Sequence, residues 1–201
     1  MTNGEAVESE VVRRARQGDT QAWEDLVSLH QQSVFRLAYL MLGEADDAED
    51  IAQQAFIQAY YALGRFDTTR PVRPWLLQIT ANLCKNWMRG VSRYLAALQR
   101  SFRLEQPLNG ERAALPARAT HLVEQNQEAE LLWQAIRRMS KNDQEMIYLR
   151  YFLECTETEM AEALGISHGT VKSRLHRAMA RLRDILRKEY PQVEQERLDV
   201  S

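Results

Sequence analysis

Apolar residues along this chain recur at helical spacing and nowhere alternate as they would in a strand. Val11, Val12 and Ala15 mark a short helix over Glu10 to Gln17, stopped by Gly18. Asp19 can cap the next helix, whose stripe of Trp23, Leu26, Val27, His30, Val34, Leu37 and Leu40 runs up to Gly43. His30 on that stripe reads as a packed side chain rather than a ligand. A third helix begins among acids, with Asp46 or Asp47 as its cap. Its buried face is Ala48, Ile51, Ala52, Ala55, Phe56, Ala59 and Leu63, and Gly64 ends it. Pro71 and Pro74 make Phe66 to Pro74 a loop, because proline interrupts a helix interior. Helix resumes from Trp75 to about Leu98 on Trp75, Leu76, Ile79, Leu83, Trp87 and Leu95.

From Gln99 to Gln127 the periodicity breaks at Pro107, Gly110 and Pro116, and the stretch reads as a linker. Glu128 to Met139 is helical again on Leu131, Leu132, Ala135 and Ile136, and Ser140 can cap a helix through Phe152. The most informative stretch follows. Thr156 and Glu159 have the form of a capping box, Met160, Ala161 and Leu164 supply an apolar stripe, and Gly165 can stop the helix. Ile166 is a buried turn residue, and Ser167 can cap a second helix with Val171, Leu175, Ala178 and Leu182 on one side. Ser173, His176, Arg177 and Ala180 lie opposite, flanked by Lys172, Arg174 and Arg181. A short capped helix, a glycine turn and a second helix with a basic outer face is a helix-turn-helix, whose second helix enters the major groove of duplex DNA.

Composition adds little until charge is placed along the chain. The 201 residues are 45% hydrophobic and 27% charged, which is ordinary for a globular protein with room for one large or two small domains. The net charge of −2 announces no nucleic-acid binder, yet the charge is segregated. Five acids stand between Glu44 and Asp50, whereas Lys85, Arg89, Arg93, Arg100 and Arg103 share residues 84–104 with no acid. From Leu164 to Glu189, seven Lys and Arg face two acids. Clustered carboxylates at a helix start could bind metal, solvate the helix end or dock a basic partner. No histidine supports the metal reading, and no His/Asp/Glu constellation for catalysis is evident. No metal site, cofactor or enzymatic activity is therefore expected. Cys84 and Cys155 form no metal-ligand pattern and read as buried thiols. No apolar run is long enough for a membrane helix and no leader is recognisable, so a cytoplasmic location is expected.

Three motifs together resemble the bacterial RNA polymerase sigma-70 family, in its small extracytoplasmic-function group. They are DDAEDIAQQAFIQAYYAL (46–63), RPWLLQITANLCKNWMR (73–89) and TEMAEALGISHGTVKSRLHRAMARLR (158–183). The resemblance implies an all-α protein of two small helical domains. Region 2 would occupy residues 10–97, a flexible linker 98–127, and region 4 with its helix-turn-helix 128–188. It implies that Asp47, Asp50, Gln53 and Gln54 bind the clamp helices of the polymerase β′ subunit, and that the β flap is a further contact. Trp75, Gln78, Asn82, Lys85 and Asn86 match the helix that captures the single-stranded −10 element, although Trp75 could equally be packing. The Phe66–Pro74 loop matches the pocket for an extruded base. Lys172, Ser173, His176 and Arg177 match the readers of the −35 duplex, with Thr170 and Arg174 suited to phosphates and Gly169 leaving room for close backbone approach. An anti-sigma factor is implied as a further partner.

The implied function is promoter recognition on behalf of core polymerase. A free-standing helix-turn-helix regulator is the alternative. A reach argument supports the first, since two promoter elements about two DNA turns apart lie roughly 70 Å from each other. A linker of about 30 residues spans on the order of 100 Å when extended.

Overall fold

The computed structural model describes residues 3–101 and 127–189. Every regular element among them is helical, and they fall into two compact units, one carrying α1–α4 and the other α5–α8.

The N-terminal unit comprises α1 (Asn3–Arg16), α2 (Thr20–Leu42), α3 (Ala45–Ala62), a 3₁₀ turn (Leu63–Arg65) and α4 (Val72–Ser101). Helix α1 begins well before the expected Glu10. Its first turns carry no apolar stripe, and Val7 is exposed, so periodicity registers only from Val11 onward. Helix α2 has the expected ends. The Asp19 carboxylate accepts from the Ala22 N–H at 3.1 Å, and Gly43 closes the helix at φ 85° with its N–H on the Tyr39 carbonyl. Leu26, Val34, Leu37 and Leu42 of α2, the alanine stripe of α3 (Ala48, Ala52, Ala55, Ala59) and Leu77, Ala81 and Cys84 of α4 are all buried where these three helices pack on one another. Alanine lets α3 approach closely, while each fully buried leucine contributes about 1.5–3 kcal/mol. His30 lies in this core with Nε2 2.8 Å from the Glu8 carboxylate, a packed and satisfied side chain.

Two expected boundaries are corrected. Neither Asp46 nor Asp47 caps α3; Glu44 occupies the cap position without a side-chain cap bond. Gly64 does not end the helix either, because α3 stops at Ala62 and Gly64 lies inside the 3₁₀ turn. The Pro71–Pro74 segment is also not all loop. Helix α4 starts at Val72, and fully buried Pro74 sits in its first turn, where a missing N–H breaks no helical bond. At its far end α4 runs to Ser101, into the stretch expected to be linker, and Leu95 stands exposed rather than buried. The remainder of that linker lies outside the described residues.

The C-terminal unit comprises α5 (Gln127–Arg138), α6 (Lys141–Ile147), a π-helical turn (Tyr148–Phe152), α7 (Glu157–Leu164) and α8 (His168–Glu189). Ser140 caps α6 as expected, accepting from the Asp143 N–H at 3.2 Å. The helix expected to run to Phe152 instead widens after Ile147, with the Leu153 N–H closing on the Tyr148 carbonyl at 3.0 Å. Gln144 closes α5 from a distance. Its amide nitrogen reaches the carbonyls of Ile136, Arg137 and Met139 at 3.0, 2.9 and 3.1 Å, satisfying groups that a helix end leaves open. Trp133, Tyr148 and Phe152 form an aromatic cluster, with Trp133 and Phe152 centroids 4.8 Å apart. Burial pushes the Tyr148 phenol up to about 12. Cys84 and Cys155 are both buried and neither is in a disulfide. No described helix is long and apolar enough to cross a membrane.

Candidate nucleic-acid interface

In the C-terminal unit the local chemistry at 156–171 builds a helix-turn-helix bond by bond. Glu159 accepts from the Thr156 N–H at 2.8 Å while the Thr156 hydroxyl oxygen accepts from the Glu159 N–H at 3.2 Å, a closed capping box. Gly165, at φ 63° and ψ 36°, reverses the chain. The Ile166 N–H then bonds the Ala161 carbonyl at 3.0 Å and the Gly165 N–H bonds Glu162 at 3.2 Å, the paired bonds of a Schellman stop. Ile166 is half-buried. Ser167 opens α8, its Oγ accepting from the Thr170 N–H at 3.3 Å and its carbonyl from the Val171 N–H at 3.1 Å.

Val171, Ala178 and Leu182 are buried and fix one side of α8, with Leu175 half-buried beside them. Lys172, Ser173, Arg174, His176 and Arg177 are all exposed. Thr170 is half-buried, and its hydroxyl lies 2.7 Å from that of Ser167, so part of its capacity serves the cap. Arg177 lies along the helix with Nε donating to the Ser173 carbonyl at 3.2 Å. The outer face thus presents two guanidinium groups, an ammonium, an imidazole and a hydroxyl near the positive end of a helix dipole. That set suits phosphate and base edges.

The N-terminal unit presents two further polar faces. On α3, Asp50, Gln53 and Gln54 are exposed and Asp47 is half-buried, and the spacing places them together on the outer side. The same stripe continues into apolar residues: Ile57, Tyr60 and Tyr61 are 50, 52 and 82% exposed. Trp23 of α2 meets the Tyr60 ring edge-on at 5.2 Å and Phe56 at 6.3 Å. Periodicity alone does not single out these aromatics. The legible signal is that Ile57 and Tyr61 fall off the buried stripe, at the spacing that continues Asp50 and Gln54.

On α4, Trp75, Gln78, Asn82, Lys85 and Asn86 share one side. Asn82 and Asn86 are exposed, while Gln78 and Lys85 are half-buried. The Asn86 carbonyl oxygen accepts from Arg89 at 2.5 Å, so Arg89 orients that amide. Trp75 is half-buried with its ring 4.5 Å from Phe66, a packing contact that joins α4 to the preceding loop. That loop is held at its start from α1 and by bonds of its own. Arg16 of α1 donates to the carbonyls of Gly64 and Phe66 at 3.2 and 3.3 Å. Asp67 accepts from the Thr69 N–H at 3.0 Å and hydroxyl at 2.7 Å, contacts that hold its carboxyl below the usual range. The brace from Arg16 was not legible, because it joins residues 48 and 50 positions apart. No group of three or more His, Cys, Asp or Glu among the described residues is placed to hold a metal ion.

Comparison with known proteins gives these faces a family. The family model Sigma-70 region 2 matches residues 26–94, and Sigma-70, region 4 matches residues 129–182. The ECF RNA polymerase sigma factor SigW of Bacillus subtilis is 30% identical over 187 residues, covering 88% of this chain and 95% of that protein. The RNA polymerase sigma factor NccH of Alcaligenes xylosoxydans is 31% identical over 181 residues, covering 90% and 95%. Among solved structures, CnrH in complex with the cytosolic domain of CnrY has a TM-score of 0.63 at 25% identity, covering 90% of this chain and 98% of that one. The chain belongs to the sigma-70 family of RNA polymerase sigma factors, in its extracytoplasmic-function group.

Proposed function

We propose that this sigma factor carries out promoter recognition through three faces on three helices, each chemically suited to a different partner. The outer side of α3, with Asp47, Asp50, Gln53 and Gln54, docks on the β′ clamp helices of core RNA polymerase. Carboxylates there complement a basic partner and set encounter rate and register. The exposed Ile57, Tyr60 and Tyr61 on the same stripe add an apolar anchor of the kind that dominates interface energetics. The α4 face of Trp75, Gln78, Asn82, Lys85 and Asn86 takes the single-stranded −10 element, with the braced 66–71 loop receiving an extruded base. Amides beside aromatic and basic side chains suit unstacked bases. The exposed face of α8 reads the −35 duplex through Lys172, Ser173, His176 and Arg177, while Thr170 and Arg174 meet phosphates.

The observation that carries this reading is the separation of the faces. Most of the residues offered to partners lie opposite their helix's buried stripe; Trp75, Tyr60 and Thr170 also take part in packing or capping. We further propose that the β flap of the polymerase contacts the C-terminal unit. An anti-sigma factor would regulate the chain in the cytoplasm; the similar CnrH was solved in complex with the cytosolic domain of CnrY. The protein has no chemistry of its own in this reading.

The test is run-off transcription with bacterial core polymerase on a promoter pool, using the wild type, Asp50→Ala and Arg177→Ala. Specific initiation should require the protein. Asp50→Ala should lose core binding, and Arg177→Ala should keep core binding while losing use of the −35 site. Equal loss of both activities in both variants would refute the division of labour.

A further inference from the structure

Helix α8 carries more cations than its reading face uses, and one of them is held away from that face. Arg181 lies one turn beyond Arg177, about 6 Å further along the helix. Its guanidinium grips the Asp143 carboxylate of α6 with both oxygens engaged, Nε to Oδ2 at 2.8 Å and Nη2 to Oδ1 at 2.5 Å. Asp143 is itself fixed. Its side chain is 10% exposed, and the Ser140 hydroxyl donates to Oδ2 at 2.7 Å. The next residue, Gln144, is pinned to three carbonyls at the end of α5. Arg181 remains 50% exposed, so its alternative is not burial but solvent or a phosphate. Bidentate, charge-assisted pairs on a rigid carboxylate are the strong ones, and they fix geometry as well as energy.

We propose that Asp143 is a positioning residue for DNA recognition: it holds Arg181 on α6 and so withdraws one cation from the phosphate-binding set of α8. The inference rests on the reading of α8 as the duplex-binding helix. Phosphate contacts strengthen binding to all sequences alike, whereas base contacts discriminate. A sequestered Arg181 therefore costs general affinity and preserves the share of binding that Lys172, Ser173, His176 and Arg177 supply. Asp143 raises specificity without touching DNA.

The experiment uses the full chain and a random 30-base-pair duplex, with affinity followed by fluorescence anisotropy across a salt series. Each phosphate contact adds about 0.9 to the slope of log affinity against log salt. Asp143→Asn releases Arg181 and should steepen that slope by about 0.9, raising random-duplex affinity roughly eightfold at 0.1 M salt. Arg181→Gln should leave the wild-type slope unchanged, and the double variant should return to it. A merely structural role for Asp143 would not raise affinity for random DNA. A shallower slope in Arg181→Gln would show Arg181 already on phosphate and overturn the proposal, even if Asp143→Asn fails to fold. An unchanged slope in a folded Asp143→Asn would overturn it too. Arg177→Gln serves as the control for the underlying reading. Reduced duplex affinity in that variant supports α8 as the binding helix, and full affinity would remove that reading and the proposal with it.

Discussion

Two glycines four residues apart in the helix-turn-helix should respond to the same substitution with opposite signs. Gly165 sits at φ 63° and ψ 36°, near the centre of the left-handed region. A Cβ there meets the following carbonyl, so Gly165→Ala should cost about 1–2 kcal/mol. Gly169 lies in the first turn of α8, and a Cβ built on it meets nothing within 4 Å. Replacing a helical glycine by alanine reduces the freedom of the unfolded chain and gains about 0.4–1 kcal/mol at compatible sites. A position so near the helix start should yield the lower part of that range, about 0.5 kcal/mol. For a unit of this size 1 kcal/mol moves Tm by about 4–8 °C, so Gly169→Ala should raise Tm by about 2–4 °C and Gly165→Ala should lower it by at least as much.

Binding separates structure from recognition at the same position. If the start of α8 lies against DNA, empty space around Gly169 in the free protein is where the nucleic acid backbone goes. A methyl group there would hold the helix off by more than a hydrogen bond tolerates and disturb a base contact worth about 1–3 kcal/mol. Gly169→Ala should therefore be more stable than the wild type yet bind the −35 duplex roughly 5- to 150-fold more weakly. Circular dichroism melts and duplex binding by the reconstituted holoenzyme give the two numbers. A stabilised variant with undiminished −35 binding would refute the close approach, and a destabilised one would refute the backbone argument.

Three further outcomes are expected. Glu154 is the one non-glycine residue with positive φ among those described, at 56°, so Glu154→Gly should stabilise the C-terminal unit by about 0.5–1 kcal/mol in a thermal melt. Arg16→Gln releases two loop carbonyls and should weaken binding of a single-stranded −10 oligonucleotide about 2- to 12-fold, the worth of one hydrogen bond, with core binding unchanged by pull-down. Burial raises the Asp143 carboxyl, but the Arg181 and Ser140 bonds outweigh it and hold the group below the usual range. Its contribution is then complete above the unfolded value near 3.9 and is lost as pH falls through the folded one. The stability difference between wild type and Asp143→Asn, read from α8 amide exchange, should narrow towards acid, and a difference that widens would contradict the assignment.

What the sequence disclosed is local. The Thr156–Glu159 box, the Gly165 stop, the Ser140 and Asp19 caps and the Gly43 end all act within five residues, so residue type and spacing determine them. The errors arose where one residue type permits two outcomes. Pro74 signals a break in a helix interior but is neutral in a first turn, and only the burial of Val72 and Pro74 decides between them. Asp46 and Asp47 each have the side chain of a cap, yet the backbone places Glu44 at the cap position with no side-chain cap bond. The widened turn at Tyr148–Phe152 leaves no mark in a pattern of period 3.6.

The candidate sites divide in the same way, and α8 shows why. The outer face proposed to read DNA, exposed Lys172, Ser173, Arg174, His176 and Arg177, was visible because exposure opposite Val171, Ala178 and Leu182 follows from helical spacing alone. Its anchors were not. Arg181 pairs with Asp143 and Glu189 with Arg138, across 38 and 51 residues, and composition offers many equivalent partners for each. Placing those pairs on the C-terminal half divides the helix into an end that is held and an end that is offered. A basic helix held along its whole length would have no cations left for DNA, and one held nowhere would bind any duplex by charge. Of the two pairs only Arg181–Asp143 engages a cation of α8, so under the proposal it would bear on specificity as well as on stability, and the salt slope of Asp143→Asn, rather than its melting temperature, tests it.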